Sequence, residues 1–181
     1  MPAANLALDI PILETDRLRL RHHQISDFEE STRMWSDPNV TRYIRENPFT
    51  REETWTRLLR FLGHWALLGF GYWAVEEKPT GHYIGEVGFA DYKRDLNPSL
   101  EGIPEIGWVF ASHAHGKGFA TEAARAVIAW GDSNFGAKRT ACIIAPGNRA
   151  SIRVASKCGY QEFANTTYHG LSTVVYVRDR V

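Results

Sequence analysis

The chain has 181 residues, 44% apolar and 12% aromatic, enough for one packed core and too apolar for a disordered chain. Its 21 Lys and Arg offset 21 Asp and Glu, which excludes the strong positive field of a general nucleic-acid or anionic-membrane binder. The longest largely apolar run, Trp65 to Val75, is broken by Gly69 and Gly71 and falls short of the roughly 18 residues that a membrane span needs.

Along the chain, Leu18 and Leu20 alternate with Arg17, Arg19 and Arg21, the period of a strand with one buried face. Residues 1–14 before it read as an N-terminal extension of a single 1–181 domain. Asp9 and Pro11 interrupt the weak apolar stretch there, and no basic region precedes it, so no secretory signal is expected. Ser26 with Glu29 predicts a capped helix to about Ser36, followed by turn chemistry at Asp37-Pro38-Asn39. Thr50 with Glu53 repeats the capping pattern, and Trp55, Leu58, Leu59, Leu62 and Ala66 then recur at helical spacing until Gly69. Tyr72 to Val75 and Tyr83 to Phe89 predict a hairpin turning at Lys78 to Gly81. A polar stretch from Asp91 to Ile103 leads to a further strand, Glu105 to Phe110, which ends before a glycine cluster.

Ala120, Ala123, Ala124, Val127, Ile128, Gly131 and Phe135 then share one helical face, with Gly136 as a stop. Thr140 to Ala145 predicts a strand, Asn148 caps a helix lined by Ser151, Val154, Ala155 and Cys158, and Gly159 ends it. Tyr160 to Phe163 and Leu171 to Val177 close the chain as strands, with Gly170 in the loop between them. This order predicts an α/β (α+β) fold, a mixed sheet of about six to seven strands with helices on both faces.

Charge is uneven. Residues 113–160 hold seven Lys or Arg against Glu122 and Asp132, a net +5, which suits either a compact anion or two solvated helix faces. Within that segment His115-Gly116-Lys117-Gly118-Phe119-Ala120 lies between a strand and a helix, where free backbone N–H groups attract anions. No GxxxxGK[ST] occurs, which excludes a P-loop, and Thr121 stands where a dinucleotide fingerprint needs its third glycine. The seven histidines show neither HxxxH nor HExxH, and the two cysteines form no CxxC, so no metal site and no disulfide framework are expected. A reducing, cytoplasmic setting follows as the expectation.

The loop HGKGFATEA, preceded by EIGWVF and followed by PGNRASIRVASKCGY, together with TDRLRLR at 15–21, resembles the GCN5-related N-acetyltransferase (GNAT) superfamily, in its ribosomal-protein N-acetyltransferase-like (RimJ/RimL type) branch. His115, Gly118 and Ala120 fall on the three fixed places of the family motif, His115 standing where Arg or Gln is usual. Asn148 with Gly159 and Tyr160 matches the second motif. The resemblance implies acetyl-CoA as co-substrate, with its diphosphate on His115, Gly116, Lys117, Gly118, Phe119, Ala120 and Thr121 and with Asn148 nearby. It implies a pantetheine arm paired along Trp108, Val109 and Phe110, in a V-shaped opening between two central parallel strands. A backbone N–H of Val109 or Phe110 would meet the thioester oxygen.

The resemblance also implies an amine acceptor, either a protein N-terminal α-amine or a small molecule, and pairing into a homodimer is common in the family. Glu105 matches a carboxylate that takes the ammonium proton through a water, against which stands a plain salt-bridged strand end. Ser151 matches a branch Ser that faces the sulfur, against which stands a helix-start hydroxyl bonded locally. A Tyr seven residues after the motif Asn often serves as thiolate acid. Ala155 stands there, so that role is not carried over. A non-catalytic acyl-CoA-binding or sensing module is the alternative expectation.

Overall fold

The computed structural model describes residues 8–180. Its elements run β1 Leu13–Glu14, β2 Leu18–Arg21, α1 Phe28–Ser36, α2 Pro38–Thr41, α3 Arg51–Leu68, β3 Tyr72–Glu77, β4 His82–Ala90, β5 Glu105–Phe110, α4 Phe119–Asn134, β6 Arg139–Ile144, α5 Arg149–Lys157, β7 Gln161–Tyr168 and β8 Leu171–Asp179. One eight-stranded mixed sheet follows the order β1-β2-β3-β4-β5-β6-β8-β7. The strand beyond the expected six or seven is β1, where Leu13 and Glu14 pair with Leu20 and Arg19. Part of the expected N-terminal extension is thus built into the domain: Ile10 is buried and the Trp73 indole N–H donates to the Pro11 carbonyl at 2.7 Å.

Helices cover both faces, as the alternation of elements requires. On one, Ala123, Ala124 and Val127 of α4 and Ala155 of α5 meet Val87, Phe89, Ile106 and Phe110 of the sheet. On the other, Met34 and Trp35 of α1 pack on Ala74 and Tyr83, and Phe61 of α3 stacks on Tyr72. The buried stripe of α3 is Thr54, Leu58, Phe61 and Trp65, rotated from the predicted one, and Leu59 is 49% exposed. Thr54 fits that stripe because its hydroxyl is satisfied by the Thr50 carbonyl at 2.9 Å. The Thr50–Glu53 capping box is present, and Gly69 ends α3 with a left-handed φ of 73°.

The Ser26–Glu29 cap is not what starts α1. Asp27 takes that place: its carboxylate accepts the Gln24 N–H at 2.7 Å and pairs with both Nη atoms of Arg21 at 2.7 and 2.6 Å, so the helix is entered through a 3₁₀ turn at Ile25–Asp27. Asp37, expected in a turn, caps the short α2 by accepting the Asn39 N–H at 2.8 Å.

His23 sits behind this network, fully buried and stacked on Phe61 at 5.1 Å. Burial drives its pKa from 6.5 to about 4, Asp27 opposing the shift while Arg21, His22 and Arg57 add to it. The unfolded chain therefore takes up a proton near pH 6.5 that the folded chain refuses until about 4, so stability is complete above that window and is lost as pH falls through it. The loss attributable to this group is on the order of 3 kcal/mol. Denaturant titrations between about pH 4 and 7 should show His23→Phe gaining on the wild type as pH falls, whereas parallel curves would contradict the assignment.

Candidate active site

β5 and β6 are neighbours and parallel, yet their only paired register is Glu105 with Ala141. Beyond it β5 is held by β4, from Glu105–Ala90 to Phe110–Gly85, and β6 by β8, so the two strands part toward their C-terminal ends. This is the expected V-shaped opening, at the end of parallel strands where open sheets bind ligands.

Backbone groups alternate sides along a strand. The Ala111 N–H donates to Ile84 O of the β4 side, whereas the Ala141 N–H reaches Pro104 O from the β6 side. Odd positions of β5 therefore face β4, and Trp108 and Phe110 turn their N–H groups into the opening. Of the two N–H groups expected to meet a carbonyl there, that of Phe110 is in place and that of Val109 is directed at β4. The Val109 side chain packs with Trp35 and Phe49 on the α1 side, while Trp108 and Phe110 belong to the α4 side.

After β5 a 3₁₀ turn at Ser112–Ala114 leads into the glycine loop. Gly116 and Gly118 have left-handed φ values of 76° and 82°. The first bond of α4 runs from the Glu122 N–H to Gly118 O, which leaves the N–H groups of Phe119, Ala120 and Thr121 ahead of the helical ladder. A Cβ added at Gly116 would meet nothing within 4 Å, and one at Gly118 only the Arg17 guanidinium at 3.5 Å, so backbone conformation rather than crowding is what demands glycine here. Phe119 contributes its N–H alone, because its ring is buried in the core. Lys117 is exposed, its ammonium 5.9 Å from that ring.

His115 Nε2 lies 2.8 Å from Phe110 O, and since a carbonyl only accepts, Nε2 carries the proton. The imidazole thus ties the loop back to the end of β5. Gln, the usual family residue, can supply the same N–H, so His115→Gln should leave CoA affinity within about threefold at neutral pH and His115→Ala should lose more. Calorimetry checks this: a loss in His115→Gln as large as in His115→Ala would instead make the imidazole itself an anion ligand.

Asn148 caps α5 by accepting the Ser151 N–H at 3.1 Å. Ser151 is half-buried on the first turn, and among the described residues its hydroxyl makes no hydrogen bond, contrary to the local bond weighed above. Ala155 is fully buried under the helix. Glu105 is 7% exposed at the apex of the opening, and Arg94 grips both its oxygens, at 2.7 and 2.8 Å, beside a cavity of about 170 Å³.

A second carboxylate escaped the sequence reading. Glu86, the register partner of Val109, is 0% exposed, accepts from the Tyr83 hydroxyl at 3.1 Å and lies 3.5 Å from Arg57. Burial pushes its carboxyl above the usual range, and Arg57 and Tyr83 offset this in part. Its signal in the sequence is an acid in the middle of the apolar run YIGEVGFA. Arg94, in the polar stretch 91–103, and Arg17, one of three arginines alternating with Leu18 and Leu20, carried no such signal. Among the described residues no His, Cys, Asp and Glu cluster could hold a metal ion.

The model of the acetyltransferase (GNAT) domain matches residues 17–161. The YkkB protein of Bacillus subtilis is 34% identical over 153 residues, covering 81% of this chain and 83% of its own. The N-acetyltransferase YoaA of the same organism is 31% identical, covering 84% of each chain. Among solved structures, an acetyltransferase from Agrobacterium tumefaciens superposes with a TM-score of 0.82 at 26% identity, over 97% of this chain and 98% of the other. RimL, a ribosomal L7/L12 α-N-protein acetyltransferase solved with coenzyme A, shares the fold, with a TM-score of 0.76 at 14% identity over 93% of this chain and 98% of its own. With the opened strand pair and the glycine loop, these similarities place the chain in the GNAT acetyltransferase family, as an acetyl-CoA-dependent acyltransferase.

Proposed function

We propose that the chain moves an acetyl group from acetyl-CoA to a primary amine, with the amine entering from the α1 and α3 side of the opening. The observation that carries this reading is that a loop of free N–H groups, kept open by two left-handed glycines, stands at the mouth of the gap between β5 and β6. Those donors fit a diphosphate: the N–H groups of residues 116–121 would hold it, and the strand edge at Trp108 and Phe110 would pair with the pantetheine amides. Acetyl-CoA supplies the activated thioester.

The chain's own residues then orient and move protons. The Phe110 N–H is free to polarise a carbonyl in the opening. Glu105 is the base we favour. Arg94 takes one lone pair on each of its oxygens and leaves the others for a water that relays the ammonium proton. Ser151, whose hydroxyl makes no hydrogen bond among the described residues, is the candidate proton source for the departing thiolate. Val109 shapes the acceptor side with Trp35 and Phe49. The names of relatives such as YoaA support nitrogen as the accepting atom. Two buried free cysteines fit the cytoplasmic setting included in this proposal, and no helix among the described residues is long and apolar enough to cross a membrane.

Ala155 in place of a Tyr, and an Arg94 that engages both Glu105 oxygens, favour a second reading, a module that binds acyl-CoA without turnover. Thiol release from acetyl-CoA against a panel of amines separates the two. The panel holds free small-molecule amines and short peptides with free N-termini; the enzyme reading requires release with at least one of them, and the module reading requires CoA binding with none.

A further inference from the structure

The glycine loop has a weakness that its own sequence cannot remedy. Lys117 stands between two glycines, so the peptides on either side of it can rotate at little steric cost, and a rotation of the 117–118 peptide would turn its N–H away from any anion. Something outside the loop must hold it.

That contact comes from Arg17, a hundred residues earlier in sequence. Its Nη1 donates to Lys117 O at 3.0 Å, and its Nε donates to Glu122 Oε2 at 2.8 Å. Nη2 is 2.6 Å from the same oxygen, and the guanidinium lies 4.6 Å over the Phe119 ring. Glu122, on the first turn of α4, is fixed in turn by the Arg17 N–H at 3.0 Å and the Thr15 hydroxyl at 2.6 Å. In a trans peptide the carbonyl and the next N–H point in opposite directions. By drawing Lys117 O toward itself, Arg17 therefore turns the Gly118 N–H to the far side of the loop.

We propose that Arg17 is a positioning residue for the CoA diphosphate: it locks the 117–118 peptide in its anion-binding orientation and makes no contact with the anion itself. Its charge is already matched by Glu122, and each of its three nitrogens directs an N–H at Glu122 or at Lys117 O. The inference rests on the acetyl-CoA reading above.

The test uses the full chain with CoA in calorimetry and, with an amine that releases thiol in the wild type, acetyl-CoA and acetyl-pantetheine as donors. Arg17→Met keeps the length and apolar cover over Phe119 but removes the donors. It should raise the CoA dissociation constant and the KM for acetyl-CoA about tenfold, with kcat at saturation within about twofold. Acetyl-pantetheine, which lacks the diphosphate, should be used equally well by both proteins. Arg17→Lys, which keeps the charge on a single donor nitrogen, should recover part of the affinity, and it carries the test if the Met variant fails to fold. Glu122→Ala should weaken CoA binding, because Arg17 loses its anchor. Tighter binding in Glu122→Ala would overturn the proposal by showing Arg17 to be a direct phosphate ligand. Equal losses with both donors would overturn it in favour of a general structural role. Absence of CoA binding in the wild type would refute the underlying reading instead.

Discussion

Gly118→Val should raise the dissociation constant for CoA at least about tenfold while the fold persists. The cause is the backbone. At φ 82° a β-branched residue is a steric outlier, whereas the space around a Cβ there is open apart from the Arg17 guanidinium. Valine relieves the strain by leaving the left-handed region, and that swings the N–H groups that begin α4 away from their common focus. Each charge-assisted bond so lost costs roughly 1.5–3 kcal/mol, so a single one accounts for the tenfold change. Thermal unfolding should move little, because residues 115–118 are exposed and the core resumes only at Phe119, and unchanged CoA affinity in calorimetry would reduce the loop to a turn.

Glu105→Gln should lower turnover by about 10²–10⁴-fold near neutral pH, the usual contribution of a general base. The substitution also leaves the Arg94 guanidinium facing an amide NH2 where it had a carboxylate, so some loss of stability is expected and must be separated from the chemical effect. pH separates them. Help with deprotonation matters while the acceptor amine is protonated, so the deficit in kcat should shrink as pH rises toward the amine's own pKa. A deficit caused by a loosened Arg94 would persist. CoA affinity should hardly change, since the carboxylate lies at the apex of the opening, away from the loop. Wild-type turnover from about pH 6 to 9 would remove Glu105 from the base role and direct attention to Glu86.

Much of this arrangement was legible in the sequence because local chemistry decided it. The placement of residues 115–118 between a strand and a helix, the Asn148 cap, the α3 capping box and the apolar face of α4 follow from local pattern, and each is present as expected. What escaped prediction depends on tertiary partners. The face of α3 turned because Phe61 and Trp65 find aromatic neighbours in Tyr72 and Trp73, which periodicity alone does not weigh. Asp27 displaced Ser26 as the organiser of α1 because Arg21 reaches it from β2. Arg94 lies in a polar stretch and Arg17 heads an alternating Arg/Leu pattern, and only the fold brings them to Glu105 and to the loop. Alternation along β5 was readable, but which parity faces β4 depends on the register of the hairpin pairing, so Val109 and Phe110 could not be told apart beforehand.

Backbone amide spectra recorded while CoA is added to the isotopically labelled wild type test most directly whether these N–H groups hold the donor. The largest shifts should fall on residues 116–121 and on Trp108 and Phe110, with Val109, whose N–H is already turned to β4, moving less. Shifts confined to other parts of the chain, or none at saturating CoA, would contradict the placement of the diphosphate on the glycine loop.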